Sequence, residues 1–191
     1  MLRVLARLRT IALIAAASAL AYAAPTETTL HPKIVDQPPF QVEGIAASTN
    51  NAKEAGPDAI IGKQWQRFLS GDLLDKIPNR VDQSIIAVYT DYTSDANGEY
   101  TVILGAKVKP GPNPTIPDGM VVKTVPAGRY AIFTSERGPA AKVVPEMWRQ
   151  IWSYFQSPQN GPRAYQSDFE IYDRRASDPN NAQMDIYVGL K

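Results

Sequence analysis

A glutamate and several tyrosines occupy positions where they could bind a cation. Side chains alternate between the two faces of a strand, so in the strand-like run 168–173 Asp168, Glu170 and Tyr172 share one face. In run 184–190 we expect Asp185 and Tyr187 on the same side as Glu170. A carboxylate supplies counter-charge and each tyrosine ring offers a cation–π contact of about 0.5–2 kcal/mol. This face therefore predicts binding of a bulky aromatic cation.

The same residues allow other interpretations. Glu170 could be an exposed strand residue on a solvated face, and each tyrosine could serve packing alone. In an apolar cleft Glu170 would have a raised pKa and could act as a general acid or base, with a tyrosine as hydrogen-bond donor, in a hydrolase. A third alternative is a protein-interaction module whose cleft is occluded.

Several other chemistries lack their residues. His31 is the one histidine and there is no cysteine, which excludes a Ser-His-acid triad and the usual zinc ligand sets. No glycine-rich phosphate loop is present. Lysine and arginine form no basic stripe, so nucleic acid is not an expected partner. We predict no cofactor and no metal site.

The first 23 residues read as a secretion signal. Arg3, Arg7 and Arg9 precede an apolar run at 11–20, and residues 21–23 fit a small-x-small cleavage site. The run is about half the length that a membrane span needs, so a permanent anchor is the weaker alternative. Cleavage near Ala23 would remove three of the 20 basic residues and none of the 19 acidic ones, leaving a formal charge of −2. We expect a periplasmic or secreted protein, with residues 24–32 a flexible lead-in.

Two amphipathic helices are indicated by apolar spacing. One apolar stripe begins at Ile61 and ends near Ser70, and the other runs from Val144 to Phe155, opening near Pro145 with about three turns. Tryptophans lie on both stripes, and we expect them in the core, with Trp148 able to form the floor of a cleft. A first strand is expected near Ile34, and β-rich runs predict further strands at 84–92, 100–108, 120–125, 130–135, 168–173 and 184–190.

The chain matches itself at a displacement of 83 residues. The shift superimposes Trp65 on Trp148 and Tyr89 on Tyr172, and it aligns the hairpin turns near residues 95 and 178. Matches in helix and hairpin at one offset predict a duplicated strand-helix-strand-strand unit. The proline-rich segment 110–114 would join the two copies.

Six segments resemble the GyrI-like small-molecule-binding domain, the effector-binding domain of some AraC-type regulators. They read IPNRV at 77–81, VYTDY at 88–92, NGEYTVILGAKV at 97–108, VPAGRYAIFTS at 125–135, DFEIYD at 168–173 and DPNNAQMDIYVGLK at 178–191. The resemblance covers residues 33–191, with repeat one at about 33–109 and repeat two at about 115–191.

The resemblance implies a fold and a ligand class. The expected fold is α+β, with duplicated βαββ units in pseudo-twofold symmetry, antiparallel sheets, two main helices and a central cleft. Its position in DFEIYD makes Glu170 the cleft carboxylate. The implied function is binding of small amphipathic, cationic or aromatic molecules between the repeats. The expected ligand-binding residues are Glu170, Tyr89, Tyr172, Tyr187 and Trp148.

Overall fold

The computed structural model describes residues 30–111 and 115–191. Within these ranges the strands are β1 Lys33–Gln37, β2 Phe40–Thr49, β3 Ile85–Thr90, β4 Tyr100–Val108, β5 Val121–Val125, β6 Gly128–Thr134, β7 Ser167–Tyr172 and β8 Asp185–Gly189. The α-helices are α1 Asn51–Glu54, α2 Ile61–Ser70, α3 Leu73–Lys76 and α4 Ala140–Tyr154. The predicted signal peptide, residues 24–29 of the lead-in and residues 112–114 of the connector lie outside the described residues.

The strands form one antiparallel sheet whose order reflects a duplication. That order is β1-β6-β8-β7-β3-β4-β2-β5, so the unit β2-α2-β3-β4 and the unit β6-α4-β7-β8 meet at β3 and β7. The predicted α+β fold with duplicated βαββ units is confirmed. The sequence did not separate β2 from the lead-in, although the match of Gly44 to Gly128 places it opposite β6.

Each unit receives its edge strand from the other. β1 pairs with β6 of the second unit, and β5 pairs with β2 of the first. The two registers are equivalent, because Gln37 faces Gly128 while Val121, 84 residues later, faces Gly44. The pseudo-twofold relation therefore includes the edge strands.

The two faces of the sheet bury different clusters. One face packs against the helices, with Phe68 of α2 and Ile151 of α4 almost fully buried. On the other face Phe40 of β2 lies 5.2 Å from Phe169 of β7, measured between ring centroids, although two strands separate β2 from β7. The sheet therefore curls into a half-barrel around this second cluster. Among the helices that the structure describes, none combines the length and apolarity needed to cross a membrane.

The predicted orientation of β7 is wrong in one respect. Phe169 and Ile171 were expected beneath the tryptophan-bearing helix, but both lie on the concave face of the half-barrel. Glu170 instead shares the α4 face with Ile186, its partner across β7 and β8. Met184, Ile186 and Val188 pack beneath α4 as expected.

Helix α4 is longer than predicted and has a different buried line. It begins at Ala140, so Pro145 lies inside it rather than in its first turn. Val143, Met147 and Ile151 are the buried residues, because Val143 extends the apolar line toward Met184. Trp148 is only half-buried and Trp152 is 40% exposed, so the expectation that both are core residues is wrong.

Candidate functional site

A cavity of about 530 Å³ opens beside α4 and is lined largely by aromatic rings. Five rings lie in sequence, with centroids 5.5 to 6.4 Å apart from each to the next: Trp152, Trp148, Tyr89, Tyr100 and Tyr92. Its charged lining residues are Glu54, Arg149 and Arg163. A concave, mostly apolar site of this volume is suited to a drug-sized organic molecule.

Glu170 lies at the junction of the two units, directly behind this aromatic wall. It pairs with Ala87 across β3 and β7, and the 83-residue shift carries Ala87 onto Glu170 itself. The pseudo-twofold axis therefore passes between these two residues. Because its counterpart is alanine, the duplicated fold carries a single carboxylate here.

Three side chains donate hydrogen bonds to the Glu170 carboxylate, which has no exposed surface. The Tyr89 hydroxyl donates to Oε1 at 2.9 Å, and the Trp148 indole N–H donates to the same oxygen. The Tyr172 hydroxyl donates to Oε2 at 2.6 Å. Both oxygens are thus occupied by donors from β3, α4 and β7, as a buried carboxylate requires.

Burial and hydrogen bonding have opposite effects on the pKa of Glu170. Burial raises the pKa above its ordinary value of 4.5, and the bonds from Trp148, Tyr172 and Tyr89 offset part of that rise. Burial, together with the charge of Glu170, raises the pKa of Tyr89 and of Tyr172 well above 10.0. Both hydroxyls therefore keep their protons at neutral pH and remain donors.

The predicted ligand-binding residues divide into three groups. Tyr89 and Trp148 line the cavity, whereas Glu170 and Tyr172 lie behind them. Tyr187 is on the opposite face of the sheet, where it stacks on Phe169 with 4.4 Å between ring centroids. Its expected position beside Glu170 is therefore wrong. The β7–β8 register pairs Tyr187 with Phe169, and residues paired across strands share a face.

The aromatic contacts around Glu170 cross between the units. Tyr89 of the first unit packs edge-on against Trp148 of the second, with centroids 5.5 Å apart. Tyr172 of the second unit packs in the same way against Trp65 of the first, at 4.7 Å. The 83-residue shift exchanges these two pairs, yet only the Tyr89–Trp148 pair lines the cavity.

Comparison with known proteins identifies the family. The family described as "Cass2: Integron-associated effector binding protein" matches residues 33–190. The chain belongs to this family. The resemblance to GyrI-like effector-binding domains is thereby confirmed.

Three relatives illustrate the range of the Cass2 likeness. The putative transcriptional regulator protein YobU of Bacillus subtilis is 34% identical over 154 residues, which are 78% of this chain and 90% of YobU. The structure of an integron cassette protein of Vibrio cholerae is 29% identical with a TM-score of 0.64, covering 83% of this chain and 95% of its own. SAV2435, solved with tetraphenylphosphonium, shares the fold at 15% identity, with a TM-score of 0.69 and coverage of 85% and 94%.

Several residues at the site of this Cass2-family chain were not predicted from its sequence. Glu54 lines the cavity and accepts hydrogen bonds from the Thr49 hydroxyl and from two backbone N–H groups at the start of α2. Tyr92 donates to Asp168 at 2.7 Å. Strand alternation did place Asp168 on the Glu170 face, and this signal could have led to Tyr92. Among the described residues, no group of three or more potential His, Cys, Asp or Glu ligands could hold a metal ion.

The raised pKa of Glu170 predicts a pH-dependent stability. Below 4.5 the carboxyl group is neutral in both folded and unfolded states. As the pH rises through the higher folded pKa, the folded state must bury a charge, so the free energy of unfolding falls. Glu170→Gln should remove this contribution, because glutamine keeps a carbonyl acceptor and stays neutral.

Urea unfolding at mildly acidic and mildly alkaline pH would measure the effect. We expect the variant to gain stability relative to the wild type as the pH rises. A wild type and variant that differ equally at both pH values would contradict the assignment of this pH dependence to Glu170.

Proposed function

We propose that this chain binds bulky aromatic cations in the cavity beside α4. One observation carries the proposal. Tyr89 and Trp148 both line the cavity, and both donate their polar hydrogen to the buried Glu170 carboxylate. A cation against these rings would meet aromatic surface on the near side and a negative charge directly behind it.

Electrostatics supports a cation rather than a neutral guest. A hydroxyl or indole N–H that donates to a carboxylate leaves its ring richer in electrons, which strengthens attraction to a cation at the ring face. The carboxylate also acts directly: at about 7 Å and an effective dielectric constant of about 20, two unit charges attract by about 2 kcal/mol. Neither effect requires the ligand to touch Glu170.

The cavity walls add bulk selectivity and a second negative group. The line of five rings offers contact to a ligand with several aromatic rings, each stacked or edge-on contact adding about 0.5–1.5 kcal/mol. Glu54 reaches the same cavity, and its oxygens are engaged by hydroxyl and backbone N–H donors. It therefore supplies a fixed charge close to the ligand.

The site geometry gives less support to the other candidate functions. A general acid or base must come within about 3 Å of its substrate, and Glu170 has no exposed surface while its oxygens are occupied by three donors. An occluded interaction module would lack an open cavity of about 530 Å³. The ligand of SAV2435, tetraphenylphosphonium, is a bulky aromatic cation bound by a protein of the same fold, which supports the proposed class by analogy.

Calorimetric titration with tetraphenylphosphonium and with neutral triphenylphosphine oxide tests the proposal. We expect the cation to bind at least tenfold more tightly. Trp148→Phe should weaken cation binding about 3- to 30-fold, because it removes the larger ring and the hydrogen bond to Glu170.

Trp65→Phe is the matched control. Trp65 is the pseudo-symmetric counterpart of Trp148, but it contacts Tyr172 and does not line the cavity. We expect its replacement to leave affinity unchanged. Equal affinity for the two probes, or equal losses in the two variants, would count against a cation site beside α4.

A further inference from the structure

Arg163 is a buried cation in the wall of the cavity. Its backbone forms an isolated bridge with Leu190, and its neighbour Ala164 donates a hydrogen bond to Gly189 at 2.7 Å, so the chain is fixed where it enters β7. The residue is only 6% exposed, yet it lines the cavity beside Trp148. A cation buried in a cavity proposed for cations requires an explanation.

The guanidinium group has fewer acceptors than donors. Among the described residues its one side-chain hydrogen bond runs from Nη2 to Asp168 Oδ2, at 2.6 Å. Nε is buried without a partner in the same described part of the chain. Tyr165 and Trp148 present ring faces to the group, at 4.4 and 5.9 Å from the centroids, and rings do not replace strong acceptors. A buried guanidinium with unused N–H groups favours a ligand that brings an acceptor.

Asp168 does not cancel the charge of Arg163 as a dedicated partner would. Its Oδ2 also accepts from the Tyr92 hydroxyl at 2.7 Å, and its Oδ1 accepts from the Gly189 N–H at 2.9 Å. The carboxylate is shared among three donors, while the guanidinium makes one bond to it. Positive potential therefore remains at this part of the cavity wall.

Positive and negative groups lie at different edges of the same indole. The Trp148 N–H donates to Glu170, and the Arg163 guanidinium lies 5.9 Å from the centroid of the Trp148 ring. A ligand along this ring would have its cationic group near Glu170 and another group near Arg163. The two ligand groups would be separated by about one fused ring system.

We infer that the ligand is a zwitterionic aromatic compound, whose cationic group faces the Glu170 side while a carboxylate or similar anionic oxygen group is bound by Arg163. The inference rests on the proposed cation binding and narrows it. A ligand with both charges supplies the acceptor that Arg163 lacks and keeps its cationic group at the aromatic wall. A guanidinium is suited to this role because its planar donors match a carboxylate.

Two dyes of nearly the same shape test the inference. Rhodamine 110 carries a free carboxylate, and rhodamine 123 is its methyl ester, which is purely cationic. Fluorescence anisotropy at physiological salt would give both dissociation constants. We expect rhodamine 110 to bind about tenfold more tightly, the size of one hydrogen-bonded charge contact.

Variants assign the preference to one residue. Arg163→Lys keeps the ion pair with Asp168 but loses the fork, and should reduce the preference to about threefold or less. The double variant Arg163→Met with Asp168→Asn removes both charges and should abolish it. Arg149→Ala is the matched control, because Arg149 lines the same cavity but is exposed, and it should retain the preference.

The outcomes separate this inference from the proposed function. Tighter binding of rhodamine 110 that disappears in the Arg163 variants supports both. Equal binding, tighter binding of rhodamine 123, or a preference that depends on Arg149 instead would overturn the zwitterion inference and leave cation binding intact. If neither dye binds, both proposals fail.

Discussion

Glu170→Gln is expected to weaken binding of tetraphenylphosphonium about 30-fold and to leave binding of triphenylphosphine oxide unchanged. The substitution preserves side-chain shape and an acceptor for the Trp148 N–H, so the aromatic wall should keep its position. It removes a charge that would attract the cation by about 2 kcal/mol through one aromatic layer. Isothermal titration calorimetry of both probes against both proteins would measure the difference.

The same variant should abolish the pH dependence of cation affinity. In the free protein, burial raises the pKa of Glu170, so the group holds a proton above its ordinary pH range. A bound cation favours the carboxylate and lowers that pKa, so wild-type affinity should rise as the pH increases through the pKa of the free protein. The glutamine variant, with no group to titrate here, should give a flat profile.

Glu99→Gln provides the control for a general change in net charge. Glu99 forms an exposed pair with Lys53, and its side chain is 58% exposed. Solvent and salt screen such a charge, so we expect cation affinity to stay within about twofold of the wild type. If Glu99→Gln and Glu170→Gln lowered affinity equally, the effect would be one of overall charge, and the buried carboxylate would have no special role.

Glu170 thus links ligand binding to a loss of stability. The carboxylate is expected to destabilise the folded protein as the pH rises, because a charge must be buried, and the same charge is expected to attract the ligand. Glu170→Gln should therefore be more stable at alkaline pH and bind cations less well. Such opposition is common at functional sites, whose residues are not selected for stability alone.

The sequence was sufficient for the fold because its duplication is visible as a single offset. The Trp65–Trp148 and Tyr89–Tyr172 matches required two similar units, and the sheet order places those units symmetrically about β3 and β7. Strand β2 and the exchange of edge strands were not predicted. Pairing of β1 with β6 depends on contacts between segments almost 100 residues apart, and local patterns do not report such contacts.

The site was only partly predictable for a related reason. Alternation within β7 correctly grouped Asp168, Glu170 and Tyr172, since it is a local property. It could not fix the register with β8, and a shift of one residue separates Tyr187 from Glu170. Arg163 and Glu54 lie in or beside loops without periodic signals, so only the folded chain brings them to the cavity.

Gly105→Ala is expected to be the most damaging of the single substitutions considered. Gly44 and Gly105 face each other where β2 pairs with β4. A Cβ atom on Gly105 would lie 1.9 Å from the backbone oxygen of Glu43, and one on Gly44 would lie 2.2 Å from that of Leu104. The obstructing atoms belong to the backbone, so no side chain can rotate away, and strands β2 and β4 would have to separate.

The expected loss is at least about 4 kcal/mol, which for a domain of this size lowers the midpoint of thermal unfolding by about 10 °C or more. Circular dichroism melting would measure it. Gly62→Ala is the matched control, because no atom lies within 4 Å of a Cβ at that position in α2, and alanine there should stabilise the helix by up to about 1 kcal/mol. A Gly105→Ala protein that melts with the wild type would mean that the β2 and β4 backbones can move apart at this point without disturbing the half-barrel on which the Glu170 site depends.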